Sequence, residues 1–282
     1  MITADNFHRI GHSHNFCQDF SSSKVMEDKG YAIISDGCSS AKDSEVGSML
    51  LVKTAEQHLY PIRPMTQLRE MMNVVIHTAN VHRRALGLDI DALCATLLTI
   101  CTTPNSFVTT ITGDGVIVAR HKTKGLQWID HEFESGAPFY ARYNLSSADR
   151  QKYLELFKGK LCRRDSPNPN ENAENKEVLE TPVEVNEETI DTYGFEFPFA
   201  DYDMVGVMSD GAKSFTKKER TGTSISHQIV DLKEIIKEVF SFKTFAGDFV
   251  KRRCKRAFEQ FTKQGWENQD DFSIAVMSNV GG

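Results

Sequence analysis

Residues 93–130 read LCATLLTICTTPNSFVTTITGDGVIVARHKTKGLQWID, and this stretch decides the fold class. Four short β-prone runs follow one another: Leu93 to Cys101, Ser106 to Thr112, Val116 to Arg120 and Leu126 to Asp130. Their branched residues suit a pleated surface. Turn residues separate them, at Pro104-Asn105, Gly113-Asp114-Gly115 and Lys124-Gly125. This spacing predicts a meander of antiparallel strands.

Upstream the period is helical. Residues 44–59 place Val46, Met49, Leu50, Val52 and Ala55 near helical spacing, with Asp43 or Ser44 as the cap. Residues 66–86 read as a second helix with Leu68, Met71, Met72, Val75, Ile76 and Ala79 on one side, and Pro64 stands just before its start. Residues 31–35 read as a buried strand. Downstream come a strand at 204–209, helices at about 228–241 and 245–264, and a closing strand at 272–278. The last helix places Phe245, Phe249, Cys254, Ala257, Phe258 and Phe261 near one face. Lys251, Arg252, Arg253, Lys255 and Arg256 lie mostly on the other, as a docking surface or a solvated face. Helix pairs set between β segments with consecutive hairpins argue for α+β, against a doubly wound parallel sheet. Between the two halves, Arg164 to Glu188 is rich in Asn, Glu and Pro and reads as a surface insertion, with a short helix over 147–158 before it.

The chain has 282 residues, 40% hydrophobic and 26% charged, with a formal net charge of −6. That is enough for a sizeable core, and the acidic balance gives no electrostatic footprint for nucleic acid or an anionic membrane. The six cysteines form no CxxC pair and no zinc spacing with His. They read as reduced, mostly buried thiols, in keeping with a cytoplasmic protein. The first ten residues are no signal peptide, and no apolar run approaches the ~20 residues of a membrane span.

The chemistry is suggested by acidic residues at strand ends. Asp36-Gly37 closes the run Tyr31 to Ser35, Asp210-Gly211 closes Met204 to Ser209, and Asp270-Asp271 opens Phe272 to Met277. A carboxylate there is held on a rigid element, and the adjacent Gly lets backbone or ligand approach closely. Three such carboxylates at one spot repel each other unless cations lie between them, and hard oxygen donors suit Mg²⁺ or Mn²⁺. Asp19 and Asp114 also flank β-prone segments. Gly113-Asp114-Gly115 serves equally well as a type I′ turn. Asp89-Ile90-Asp91 and Asp201-Tyr202-Asp203 do not stand where an aspartate nucleophile would.

Taken in order, Cys17-Gln18-Asp19, Ser35-Asp36-Gly37, Gly113-Asp114-Gly115, Ser209-Asp210-Gly211 and Asp270-Asp271-Phe272-Ser273 resemble the motifs of metal-dependent protein phosphatases of the 2C type. The resemblance runs from about residue 8 to 278. The stretches Gly11 to Asp19 and Asp36 to Gly47 are most similar to the divergent bacterial branch.

The resemblance implies a single domain over residues 1–282, built as a four-layer αββα sandwich of two antiparallel β-sheets flanked by helix pairs. Residues 134–200 would form a variable flap beside the active site, whose acidity would favour basic phosphopeptides. It implies hydrolysis of phosphoserine and phosphothreonine in proteins, by a binuclear Mg²⁺ or Mn²⁺ centre that activates water for in-line attack. Asp36 would bridge both ions and the Gly37 carbonyl would bind the first. Asp210 and Asp270 would hold the second, Asp19 would orient the attacking water, and Asp114 would contribute to a weaker third ion. The implied partners are phosphorylated proteins of a Ser/Thr kinase signalling system, with neither nucleic acid nor membrane involved.

Three departures bear on this. His14 stands where the family has an Arg that clamps substrate phosphate. A histidine can donate to phosphate but lacks the bidentate fork, so His14 is either a substrate contact, with Arg9 and His12 near it, or a structural residue. Gln18 replaces an acidic residue, and Cys38-Ser39-Ser40 replaces a glycine-rich turn. Cys38 reads as a small neighbour of the site, because water-driven hydrolysis needs no covalent phosphoenzyme. The alternative is a pseudophosphatase, a regulatory binding module on the same fold with little or no turnover.

Overall fold

The computed structural model describes residues 1–27, 29–59, 65–156, 160–165, 179–184, 192–221 and 224–279. Among them, all strand pairing is antiparallel. One seven-stranded sheet runs in the order β1 (Ile2–Arg9), β15 (Phe272–Asn279), β11 (Tyr202–Met208), β6 (Gly115–His121), β7 (Gly125–Phe133), β8 (Lys160–Asp165), β9 (Leu179–Glu184). A five-stranded sheet runs β10 (Tyr193–Pro198), β5 (Ser106–Thr112), β4 (Leu97–Thr102), β3 (Lys29–Ser35), β2 (Phe20–Met26). A small third sheet is β13 (Ser224–Ile229), β12 (Phe215–Thr221), β14 (Trp266–Asn268).

The central strands are apolar on both faces, and this stacks the layers. In β3, Ala32 and Ile34 join Ile100, Ile117, Val207, Ala275 and Met277 in a core between the two large sheets. Ile33, between them in sequence, points the other way, into a core with Leu51, Val52, Met72, Val75 and Ile76. Those residues belong to α1 (Ser44–His58) and α2 (Met65–Ala85), which cover the five-stranded sheet. In β15, Ala275 and Met277 face the other sheet, whereas Ile274 and Val276 pack with Ile236, Val239, Phe249, Ala257 and Phe258. These come from α4 (Leu232–Val239) and α5 (Phe249–Lys263). Successive strand side chains alternate between faces, so burying both faces demands a continuous apolar run. The result is the expected αββα sandwich. No helix of the described residues is long and apolar enough to cross a membrane.

Several local expectations need correction. The predicted meander is divided: β4 and β5 pair in one sheet and β6 and β7 in the other. The run from Leu93 does not start as a strand, because Ile90–Leu93 is a 3-10 turn and β4 begins at Leu97. The helix expected from 228 starts at Leu232, since Gln228 and Ile229 complete the unforeseen β12–β13 hairpin. The helix expected from 245 starts at Phe249, with Phe245 packed just ahead of it against Phe242 and Phe249. In α1 the buried stripe is Leu51, Val52 and Ala55, whereas Met49 is exposed. Asp43 stands at its N-cap in a left-handed conformation (φ 59°) without a side-chain capping bond. The stretch 134–200 is not wholly an insertion. It includes α3 (Ser147–Leu156), close to the expected short helix, and β10, which pairs with β5 in the five-stranded sheet. Residues 166–178 and 185–191 of the polar stretch, and Pro64, lie outside the described residues.

Candidate metal centre

Strand register gathers the acidic motifs. Met208 pairs with both Ile274 and Val116, Leu97 with Thr112, and Phe20 with Ser35. In antiparallel pairs the C-terminal end of one strand lies beside the N-terminal end of its neighbour. The residues just beyond these ends (Asp19, Asp36, Asp114, Asp210, Asp270 and Asp271) therefore share one end of the sandwich. Asp114 is not in a hairpin, because β5 and β6 belong to different sheets and the Gly113-Asp114 link crosses between them. Gly113 takes a left-handed φ of 88° but Asp114 does not, which excludes the type I′ turn.

Electrostatics shows which carboxylates meet. Asp19 is 3% exposed, and burial raises its carboxyl from 3.8 to about 7, although its neighbours Asp36, Ser273 and Ser209 oppose the shift. Asp36 is raised well above the usual range, first by burial and then by Asp19 and Asp210. Asp114 is likewise raised by burial and by Asp210, with Lys213 pulling it back. Asp36 and Asp114 keep some opening to solvent, yet enough protein surrounds them for burial to dominate. Asp270 is partly open, its side chain 44% exposed. Burial and then Asp210 raise it, while the Asp271 N–H and His14 oppose. Like charges this close disfavour joint ionisation.

The site is tied together both within and between the two sheets. The Asp36 N–H donates to Thr96 Oγ1 (3.1 Å), and the Thr96 N–H donates to the Asp36 carbonyl (2.8 Å). Ser209 Oγ donates to Asp19 Oδ2 (2.8 Å) and accepts from the Ser273 N–H (2.9 Å). Asp271, 1% exposed, accepts from the Gly11 N–H (2.8 Å) and the Gln18 N–H (2.5 Å), so it fastens the 11–18 loop to the start of β15. Gly211 is required by close approach: a Cβ there would lie 1.7 Å from the Asp271 carbonyl oxygen.

His14 lies among these groups. Its Nε2 is 3.2 Å from Asp270 Oδ1, and its Nδ1 is 3.1 Å from Asp271 Oδ2 without hydrogen-bond geometry. Arg9 lies elsewhere, its guanidinium over the Phe258 ring at 4.6 Å. The Gln18 amide donates to the Cys38 carbonyl and to Ser44 Oγ, tying the loop to the start of α1. Two participants, Tyr140 and Lys213, were not foreseen, and a third, Asp271, was a candidate without a role. Tyr140 lies against Cys38, Asp114 and Asp36, and burial, then Cys38, pushes its hydroxyl upward. Lys213 lies at Asp130 and Glu132. Nothing local marks Tyr140 or Lys213, because each acts through partners distant in sequence.

The donors suit a hard divalent cation: they are carboxylates, mutually repelling, and Asp19 Oδ1 is buried without a hydrogen-bond partner. Among the described residues, no three His, Cys, Asp or Glu side chains form a ready-made coordination sphere. The carboxylates share a field without aiming three oxygens at one point.

The protein phosphatase 2C profile matches residues 9–253. The serine/threonine phosphatase Stp1 from Staphylococcus aureus has a similar structure, with a TM-score of 0.58 at 14% identity over 100% of this chain and 96% of that one. The serine/threonine phosphatase PstP/Ppp from Mycobacterium tuberculosis gives 0.52 at 12% identity over 98% of both chains. The S. agalactiae serine/threonine phosphatase gives 0.53 at 14% identity over 99% of both chains. At such identities the likeness concerns the fold. No curated protein sequence matches the chain. With a family profile spanning most of its length, the chain belongs to the protein phosphatase 2C family.

Proposed function

We propose that the chain is a metal-dependent phosphatase that hydrolyses phosphoserine and phosphothreonine in proteins. The observation that carries this reading is the mutual approach of Asp19, Asp36 and Asp210 at the end of the sandwich. In this reading Asp36 and the Gly37 carbonyl, with Asp210 and Asp270, hold two Mg²⁺ or Mn²⁺ ions. When bound, such ions supply positive charge for the phosphoryl oxygens and lower the pKa of an attacking water.

The chain's own residues do the rest. Asp19 Oδ2 is fixed by Ser209, which leaves the unpartnered Oδ1 to orient a water or take its proton. Thr96 holds the backbone of Asp36, and Ser214 Oγ accepts the Asp270 N–H at 3.0 Å. The backbone that carries both carboxylates is thus fixed before any ligand arrives, which favours a charge-stabilising site. His14 is assigned to positioning Asp270, since its Nε2 already faces that carboxylate; a phosphate contact by His14 would have to share the same nitrogen. Arg9, stacked on Phe258, supports the outer face of the seven-stranded sheet.

The second reading, a pseudophosphatase, is favoured by one observation: the residue in the phosphate-clamping position is engaged by carboxylates. Hydrolysis of an aryl phosphate and of phosphoserine and phosphothreonine peptides with Mn²⁺, with and without chelator, separates the two. Metal-dependent turnover that disappears in Asp210→Ala supports the enzyme. Bound Mn²⁺ by calorimetry with no turnover on any substrate refutes it in favour of the binding module.

A further inference from the structure

The acidic end of the sandwich has two sides. Lys213 closes the 3-10 turn Asp210–Lys213, so its stem is anchored three residues from Asp210. Its ammonium is 3.2 Å from Asp130 Oδ1 and 3.6 Å from Glu132 Oε1, and the side chain is only 23% exposed. Both carboxylates are on β7. Register places Asp130 opposite Val116 and His131 opposite Gly115, so this pair of acids brackets the chain just after Asp114. Burial would push the Lys213 ammonium down, but Asp130, Glu132, Asp114 and Asp210 together hold it above its ordinary value. On the other side, Ser209, next to Asp210 in the chain, donates to Asp19 Oδ2 at 2.8 Å.

We propose that Lys213 is a resident counter-ion that occupies the Asp114, Asp130 and Glu132 side of the site, so that divalent cations bind only on the Asp19, Asp36, Asp210 and Asp270 side. This rests on the metal-dependent reading above. An ammonium on a tethered stem cannot dissociate, so it holds its carboxylates at every metal concentration, whereas a bound ion leaves when metal is scarce. A divalent ion approaching the Asp114 side would meet like charge from the Lys213 ammonium held at Asp130 and Glu132. Asp114 is then the partner of a lysine, and the number of ions is set by a side chain of the turn that also carries Asp210.

The test counts Mn²⁺ by calorimetry and by the electron paramagnetic resonance signal of free Mn²⁺. Wild type and Lys213→Arg should bind the same number of ions. Lys213→Ala and Lys213→Gln should each gain one weaker equivalent, and adding Asp114→Asn to Lys213→Ala should remove it. Asp114→Asn alone should leave the wild-type count and affinities unchanged, a measurement that decides the matter even where a Lys213 variant fails to fold. A count that falls in Asp114→Asn alone, or no gain in either Lys213 variant, overturns the inference and leaves the phosphatase reading standing. Wild type that binds no Mn²⁺ overturns both.

Discussion

In chelator, the protein should lose stability as pH rises from about 4 to about 7, and the main titrating group to examine is Asp19. Its carboxyl lies at about 7 in the folded protein against an ordinary 3.8. Between those values the folded state keeps a proton that the unfolded chain releases, so stability falls as pH rises. The stabilisation is complete below the ordinary value and lost as pH climbs through the folded one. A tenfold change in proton affinity is worth about 1.4 kcal/mol, so Asp19 alone accounts for about 4 kcal/mol. Asp36 and Asp114 are raised as well and act in the same direction. For a chain of this size the loss corresponds to roughly 10 °C in Tm. Thermal melts in EDTA across this range measure it, and Asp19→Asn, which keeps an oxygen for Ser209 while removing the charge, should flatten the curve by about that amount. Saturating Mn²⁺ should raise Tm most at the high-pH end, where the charge to be neutralised is greatest. An equal slope in wild type and Asp19→Asn would refute the claim that burial of the Asp19 carboxyl disfavours its ionisation in the folded protein.

Two substitutions test the scaffold around the site. Gly211→Ala places a methyl 1.7 Å from the Asp271 carbonyl, so the turn or β15 must shift, at a cost of about 3 kcal/mol or more, read as a lower Tm or loss of soluble protein. Asp271→Ala leaves the buried Gly11 and Gln18 N–H groups without their acceptor. It should cost about 2–4 kcal/mol and speed amide exchange across residues 11–18; unchanged exchange there would show that Asp271 does not hold the loop.

The resemblance is readable because its motifs are local: Asp36, Asp210 and the Asp270-Asp271 pair sit at the ends of apolar runs, and those runs are continuous because their strands are covered on both faces. Ile33 between Ala32 and Ile34 shows the pattern. Where burial is one-sided or slight, that signal fades. The edge strands β1 and β2 (ITADNFHR and FSSSKVM) and the polar β12–β13 hairpin carry little periodic apolar character, and β1 and β12 also depend on pairing with β15 and β14, which are distant in sequence. Met49 looks like a core residue of α1 by spacing alone, but the sheet receives Leu51, because the helix phase is set by what it packs against.

The same division holds for the site. By itself, the order of residues determined which carboxylates end strands and that His14 replaces an arginine. Only the tertiary structure decided their relations: Asp19 faces Asp36, Asp271 serves as a clamp, His14 lies between two carboxylates, Asp114 crosses between sheets, and Lys213 sits at Asp130 and Glu132. Strand propensity and turn chemistry act between neighbours in the chain and so are written in it. Charge interactions depend on separation through space and on the protein around them, and those exist only after the two sheets have closed on each other.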